Sequence, residues 1–191
     1  PSPDRRPGPS RRGSEAPAPG RRGTGTAARS ALGRLAPGRF GSPAGVDQCL
    51  LGNTPVDDAA LEQLGSWPDL QQLYLERTAA TDAGLRHLTR LVDLRTLWLT
   101  GTAVSDDGLR HISTMRQLGS LDLESTQVTA EGLRHLAALE QLMELNLRRT
   151  QVTDAGLRHV ARLTRLQSLT LAETQVTDAG LKLLAGLKLK S

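Results

Sequence analysis

Apolar residues recur along this chain at a fixed step of 24. Leu61, Leu85, Leu109, Leu133, Leu157 and Leu181 form one column, and Leu75, Leu99, Leu123, Leu147 and Leu171 another. A threonine column keeps the same step from Thr54 through Thr78, Thr102, Thr126 and Thr150 to Thr174, with no insertion between. Strict self-similarity at such a period marks a solenoid, in which each unit buries its apolar side only against its neighbours. Function is then sought on a repeated surface and not in a single pocket.

With the threonine placed ninth, each unit reads L-x-x-L-x-L-x-x-T-x-V and continues (T/S)-D-x-G-L-x-x-L-x-x-L. Leucines two apart, as at Leu145 and Leu147, put both side chains on one face of a short strand. Leu157, Val160 and Leu163, spaced by three, predict one stripe of a helix. Thr81, Ser105, Thr129, Thr153 and Thr177 stand where an N-cap hydroxyl accepts from an early backbone N–H. Asp82, Asp106, Asp154 and Asp178 follow, with their charge at the positive end of the helix. The threonine column lies where the chain turns inward and leaves backbone groups unpaired, so its hydroxyls are expected to bond the turns of adjacent repeats. Stepping back from Leu70 recovers a first half-repeat, Val46, Cys49, Leu51, Thr54 and Val56, so the array begins near residue 46. Cys49 takes an inward leucine position as a buried small hydrophobe, and Trp67 falls on an inward helix position.

The run LMELNLRRTQVTDAGL (142–157) resembles the leucine-rich-repeat superfamily, and the likeness covers about residues 46–191. Its VTDAGL helix entry is similar to the cysteine-containing subtype found in F-box substrate receptors, and to repeat-only proteins of some bacteria. It departs from that subtype in its shorter period and in threonine at the position usually held by Asn or Cys. The resemblance implies an α/β solenoid coiled as a right-handed superhelix, with a parallel concave β-sheet and convex helices. It also implies protein–protein interaction as the function.

Charge divides the chain unevenly. Residues 1–45 hold nine arginines against Asp4 and Glu15, a net of +7, and most of the prolines. Of the +4 overall, residues 46–191 therefore carry −3. The first 45 residues are expected to be a disordered basic tail, too poor in apolar surface to offset its ordering entropy. Arginine-rich segments bind nucleic acid by neutralising phosphates, but no aromatic before Phe40 is placed to stack a base, so a flexible linker is preferred. No stretch is apolar enough to span a membrane, and no signal segment opens the chain. One cysteine, Cys49, excludes an internal disulfide framework and a cysteine zinc cluster. A reducing, cytoplasmic setting is the expectation. The chain begins with Pro1 and ends at Ser191, where the next strand is due without a polar cap, so a piece of a larger protein is also expected.

No catalytic constellation, phosphate loop or cofactor motif emerges. Four histidines share one column, His87, His111, His135 and His159, beside a basic ridge of Arg86, Arg110, Arg134, Arg158 and Lys182. A copied GLRH unit on the convex side explains the row without a metal. What differs between repeats lies on the outward strand positions. The fifth position reads Leu50, Tyr74, Trp98, Asp122, Asn146 and Thr170, which sets the only tyrosine beside one of two tryptophans. Exposed aromatics on a binding face are the composition of an interface hot spot. Glu124, Glu144, Arg148 and Arg149, with Glu76 and Arg77, form a mixed-charge strip that either sets partner selectivity or forms solvated pairs worth little, the second being favoured for any single pair. The expected partner is another protein, engaged through Tyr74, Trp98, Asp122, Glu124, Glu144, Asn146, Arg148 and Arg149. The alternative is a scaffold or substrate-receptor piece, F-box-like or kinase-associated.

Overall fold

The computed structural model describes residues 46–190. The basic segment 1–45, expected to be a disordered linker and weighed also for nucleic-acid binding, lies outside them. Six strands, β1 (Gln48–Leu50), β2 (Gln72–Tyr74), β3 (Thr96–Trp98), β4 (Ser120–Asp122), β5 (Glu144–Asn146) and β6 (Ser168–Thr170), pair in chain order as one parallel sheet. Each residue pairs with the one 24 positions on, as in Tyr74 with Trp98 and Asp122 with Asn146. Parallel neighbours need a crossover, and here each is a short helical segment on the other side of the core. The α-helical segments are Asp58–Leu64, Asp82–Leu85, Asp106–Ile112, Asp154–Val160 and Asp178–Lys182. Arg86–Arg90 and Gly132–Ala138 are 3-10 turns.

Helices this short are not stable by themselves; they persist because their leucines close the core. Cys49, Leu73, Leu97, Leu121 and Leu145 point inward from the strands and are buried, as are Leu61, Leu85, Leu109, Leu133 and Leu157 from the helical side. In the sixth repeat the column opens, and Leu181 is 49% exposed.

The helix stripe needs correction. Leu163 and Trp67 are buried, but both lie in the return turn, beyond helices that end at Val160 and Leu64. Beyond Val160, where the α-helix ends, the spacing of three (Val160, Leu163, Leu166) follows the period of 3-10 turns, three residues each. The hydrogen bonds follow that period: Leu163 N–H donates to Val160 O and Leu166 N–H to Leu163 O, each at 2.9 Å.

The threonine column is structural in a different way from the one expected. Each hydroxyl donates within its own repeat, to the carbonyl three residues back: Thr78 to Leu75 at 2.8 Å, Thr102 to Leu99 at 2.7 Å, Thr126 to Leu123 at 2.7 Å. It thus closes the turn that follows the strand. Adjacent turns are joined by backbone instead, as Arg77 N–H donates to Thr100 O at 2.7 Å and Ser125 N–H to Arg148 O at 2.9 Å. The turn puts position eight in the left-handed region at all six repeats: Asn53, Arg77, Gly101, Ser125, Arg149 and Glu173, with φ from 53° to 67°.

The expected capping column is also only partly a set of caps. Thr81, Thr129 and Thr177 accept from backbone N–H groups two residues on, each at 3.2 Å. Ser105 and Thr153 make no such bond. Four of the five serve chiefly to receive the preceding repeat's aspartate, through both N–H and hydroxyl, in the pairs Asp58–Thr81, Asp82–Ser105, Asp106–Thr129 and Asp154–Thr177.

Candidate protein-binding face

Strand alternation sends positions three and five away from the core, and parallel register lines them up across the sheet. Tyr74 and Trp98 are therefore direct neighbours, with ring centroids 4.9 Å apart and planes at 78°, an edge-to-face pair. Trp98 is 37% exposed, whereas Trp67 is buried. Tyr74 is half-buried, and its hydroxyl donates to Gln72 Oε1 at 3.0 Å. The two aromatics expected on this face are on it and touch.

Beyond Trp98 the face turns polar and is tightly cross-linked. Asp122 Oδ1 accepts from Thr100 Oγ1 at 2.6 Å and from Glu124 N–H at 2.9 Å, while Oδ2 accepts from Asn146 Nδ2 at 2.9 Å. Asn146 Nδ2 also reaches Glu124 Oε2 at 3.2 Å, and its Oδ1 accepts from Arg148 N–H at 3.0 Å. Arg148 Nη1 lies 3.8 Å from Glu124 Oε1. These residues form one network, and its acceptors are largely occupied from within.

Glu173 is the member that the sequence reading missed. Arg148 Nε donates to its Oε1 at 3.0 Å, and Arg149 Nε to its Oε2 at 2.7 Å. Hydrogen bonds from Arg149 and then Arg148 hold the Glu173 carboxyl below its usual range, and Glu173 in turn raises Arg149. Stepping 24 on from Arg149 lands on Glu173, so the signal was present in the eighth column. The two arginines are thus committed to a neighbour in the same face. Exposed pairs of this kind add little to stability.

Glu144 stands apart. It is exposed on β5 at the third position, and among the described residues it takes one hydrogen bond, from Ser120 Oγ at 3.0 Å, and no ion pair. A depression of about 130 Å³ opens beside it, walled by Trp98, Asp122, Asn146, Ser168 and Thr170. A larger one, about 350 Å³, adjoins at the strand-entry edge between Arg95, Gly119, Met143 and Arg165, and shares Ser120 and Glu144 with the first.

On the opposite side, Arg86 Nε donates to His87 Nε2 at 3.2 Å and Arg134 Nε to His135 Nε2 at 3.3 Å. Burial, then the neighbouring Arg134 and Arg110 charges, lower the His135 pKa. Among the described residues no group of three His, Cys, Asp or Glu side chains is placed to hold a metal ion. No helix among them is long and apolar enough to cross a membrane.

Residues 141–161 match the family model described as a leucine-rich repeat. No curated protein matches the chain. Among solved structures it is similar to an internalin (inlF) from Listeria monocytogenes, at 22% identity and a TM-score of 0.61, over 75% of this chain and 47% of that one. It is similar to internalin C2 (inlC2) from the same organism, at 30% identity and a TM-score of 0.61, over 76% and 61%. A plant peptide hormone receptor, RGFR1, in complex with RGF2 aligns at 14% identity and a TM-score of 0.53, over 74% and 23%. The chain spans less than two-thirds of either internalin.

Proposed function

Since this chain is a leucine-rich-repeat protein by its repeat and its fold, we propose that it is an interaction module that binds another protein on the outward face of its sheet. The exposed edge-to-face pair of Tyr74 and Trp98 carries the proposal. A tryptophan left 37% exposed beside a largely polar stretch of the face is an apolar anchor whose burial a partner would complete. The polar network from Asp122 to Glu173 holds the rest of the face rigid, which reduces the ordering entropy a partner must offset. A solved structure that shares the fold, the plant peptide hormone receptor, is in complex with RGF2, which is consistent with a peptide or protein as the class of ligand.

The test is affinity capture on three proteins: the wild type, Trp98→Ala, and Arg110→Ala on the helical side. The Trp98 variant is expected to lose ~2 kcal/mol or more of binding while unfolding at the wild-type denaturant concentration. A partner retained equally by all three would place the interface elsewhere.

A further inference from the structure

We infer that the depression beside Trp98 receives an arginine or lysine side chain of the partner. This inference rests on the sheet-face assignment above and specifies its chemistry. Three observations converge. First, size: a depression of about 130 Å³ is well below the several hundred Å³ of a small-molecule pocket. It equals the liquid volume of roughly four waters, which is the scale of one long side chain. Second, charge: its walls include two carboxylates, Asp122 and Glu144, and no Arg, Lys or His. Asp122 is already hydrogen-bonded on both oxygens. Glu144, with a single hydroxyl donor at Oε2, has acceptor capacity left for a cation. Third, the indole: Tyr74 packs on β2, to one side of Trp98, while the depression opens on the other side, toward β4 to β6. A cation placed there meets an aromatic ring and a carboxylate together.

The rest of the face argues for this sign of charge. Arg148 and Arg149 are drawn to Glu173 and Glu124, so they do not neutralise Glu144. Arg95 and Arg165 line the larger depression, which shares Glu144, but among the described residues neither forms an ion pair with it. An acidic or purely apolar partner side chain would leave Glu144 desolvated without compensation.

The experiment titrates the full chain with N-acetyl-Gly-Arg-Gly-amide and follows the two tryptophan indole N–H signals by NMR. The neutral isostere with citrulline in place of arginine is the control. Buried Trp67 serves as an internal reference that the fold is intact. A saturating shift of the Trp98 signal is expected with the arginine peptide, diminished by salt. Glu144→Gln, an exposed substitution that keeps the Trp98 reporter, should weaken that binding about fivefold. An equal response to the citrulline peptide, an unchanged affinity in Glu144→Gln, or no Trp98 shift would each overturn the inference. If those arms fail while Trp98→Ala still abolishes capture of the partner, the sheet face remains the interface and only its cationic occupant is wrong.

Discussion

Asp58 reaches from the first repeat into the second and accepts two hydrogen bonds from Thr81, at 2.9 Å from its backbone N–H and 2.6 Å from its hydroxyl. The same clasp recurs at each later step but one. Glycine is needed 26 residues beyond each such aspartate, because a Cβ on Gly84 would stand 2.3 Å from Asp58 Oδ1, and one on Gly132 2.1 Å from Asp106 Oδ1. The array is thus sewn on its helical side by a carboxylate, a hydroxyl and a missing side chain, all in register. The step that lacks the clasp has Ala130 where the others have aspartate, and the segment that follows it, Gly132–Ala138, is wholly 3-10.

Ala130→Asp should therefore restore the missing clasp to Thr153. The receiving site is already built, since Thr153 and Gly156 both keep their column identities. Charged hydrogen bonds to N–H and hydroxyl, discounted for exposure, give an expected gain of ~1 kcal/mol. Urea unfolding at neutral pH measures it. The double variant Ala130→Asp with Thr153→Val should return to the wild-type midpoint or below; a gain that survives the valine would mean that the new charge acts on the helix end alone.

Position eight offers the opposite kind of test, in backbone and not in contacts. Five of its six residues hold a left-handed conformation with a side chain attached, which costs about 1–3 kcal/mol per site. Arg77→Gly relieves that strain but frees the unfolded chain, so a net gain of ~0.5–1 kcal/mol is expected. Gly101→Ala, the reverse change in the next repeat, should lose ~1 kcal/mol. Thermal unfolding of the two variants ought to shift in opposite directions.

Acid should weaken the fold in two separable windows. The Asp154 carboxyl is held below its usual 3.8 by the hydroxyl and then the N–H of Thr177, and Glu173 below 4.5 by Arg149 and Arg148. Their folded forms bind fewer protons than the unfolded chain, so the stability they contribute is complete above the ordinary carboxylate values and is lost as pH falls through the depressed ones. His135 is lowered from 6.5 by burial and then by the Arg134 and Arg110 charges, so the folded chain favours its neutral form and stability also declines as pH drops from 6.5 through that lowered value. His135→Gln should flatten the upper slope and leave the lower, whereas Glu173→Gln should leave the upper and reduce the lower only slightly, since its pairs are exposed and Asp154 still titrates there. A denaturation midpoint recorded across pH 3 to 8 separates them.

The periodic part of this molecule was legible in its sequence because nothing interrupts the 24-residue step. Tyr74 and Trp98 could be placed side by side from their column alone, and the inward leucines likewise. Three features escaped for physical reasons. Leu163 reads as helical from its column because a spacing of three satisfies both α and 3-10 patterns, and nothing in that spacing marks where the α-helix gives way to the tighter turn. The left-handed position eight gave little warning, since Arg77, Ser125, Arg149 and Glu173 are not residues that ordinarily mark positive φ. The Asp58–Thr81 clasp joins neighbouring columns of different repeats, so reading each column for its own capping role hid the bond between them.

Cys49 allows the burial of the first repeat to be tested directly. It is the only cysteine, it occupies the inward position of β1, and it is fully buried. Burial pushes its thiol up to about 12, so almost no thiolate exists at neutral pH. Dithionitrobenzoate should fail to react with the native full chain and should titrate one thiol in denaturant. Because the strand sits at the start of the sheet, paired on one side to β2, slow labelling below the global transition would report local opening of β1. Cys49→Ser places a hydroxyl among leucines and is expected to cost ~1–3 kcal/mol, whereas Cys49→Val, which keeps the site apolar, should cost less. Rapid labelling of the native protein would show that the first strand is not held in the core as its column requires.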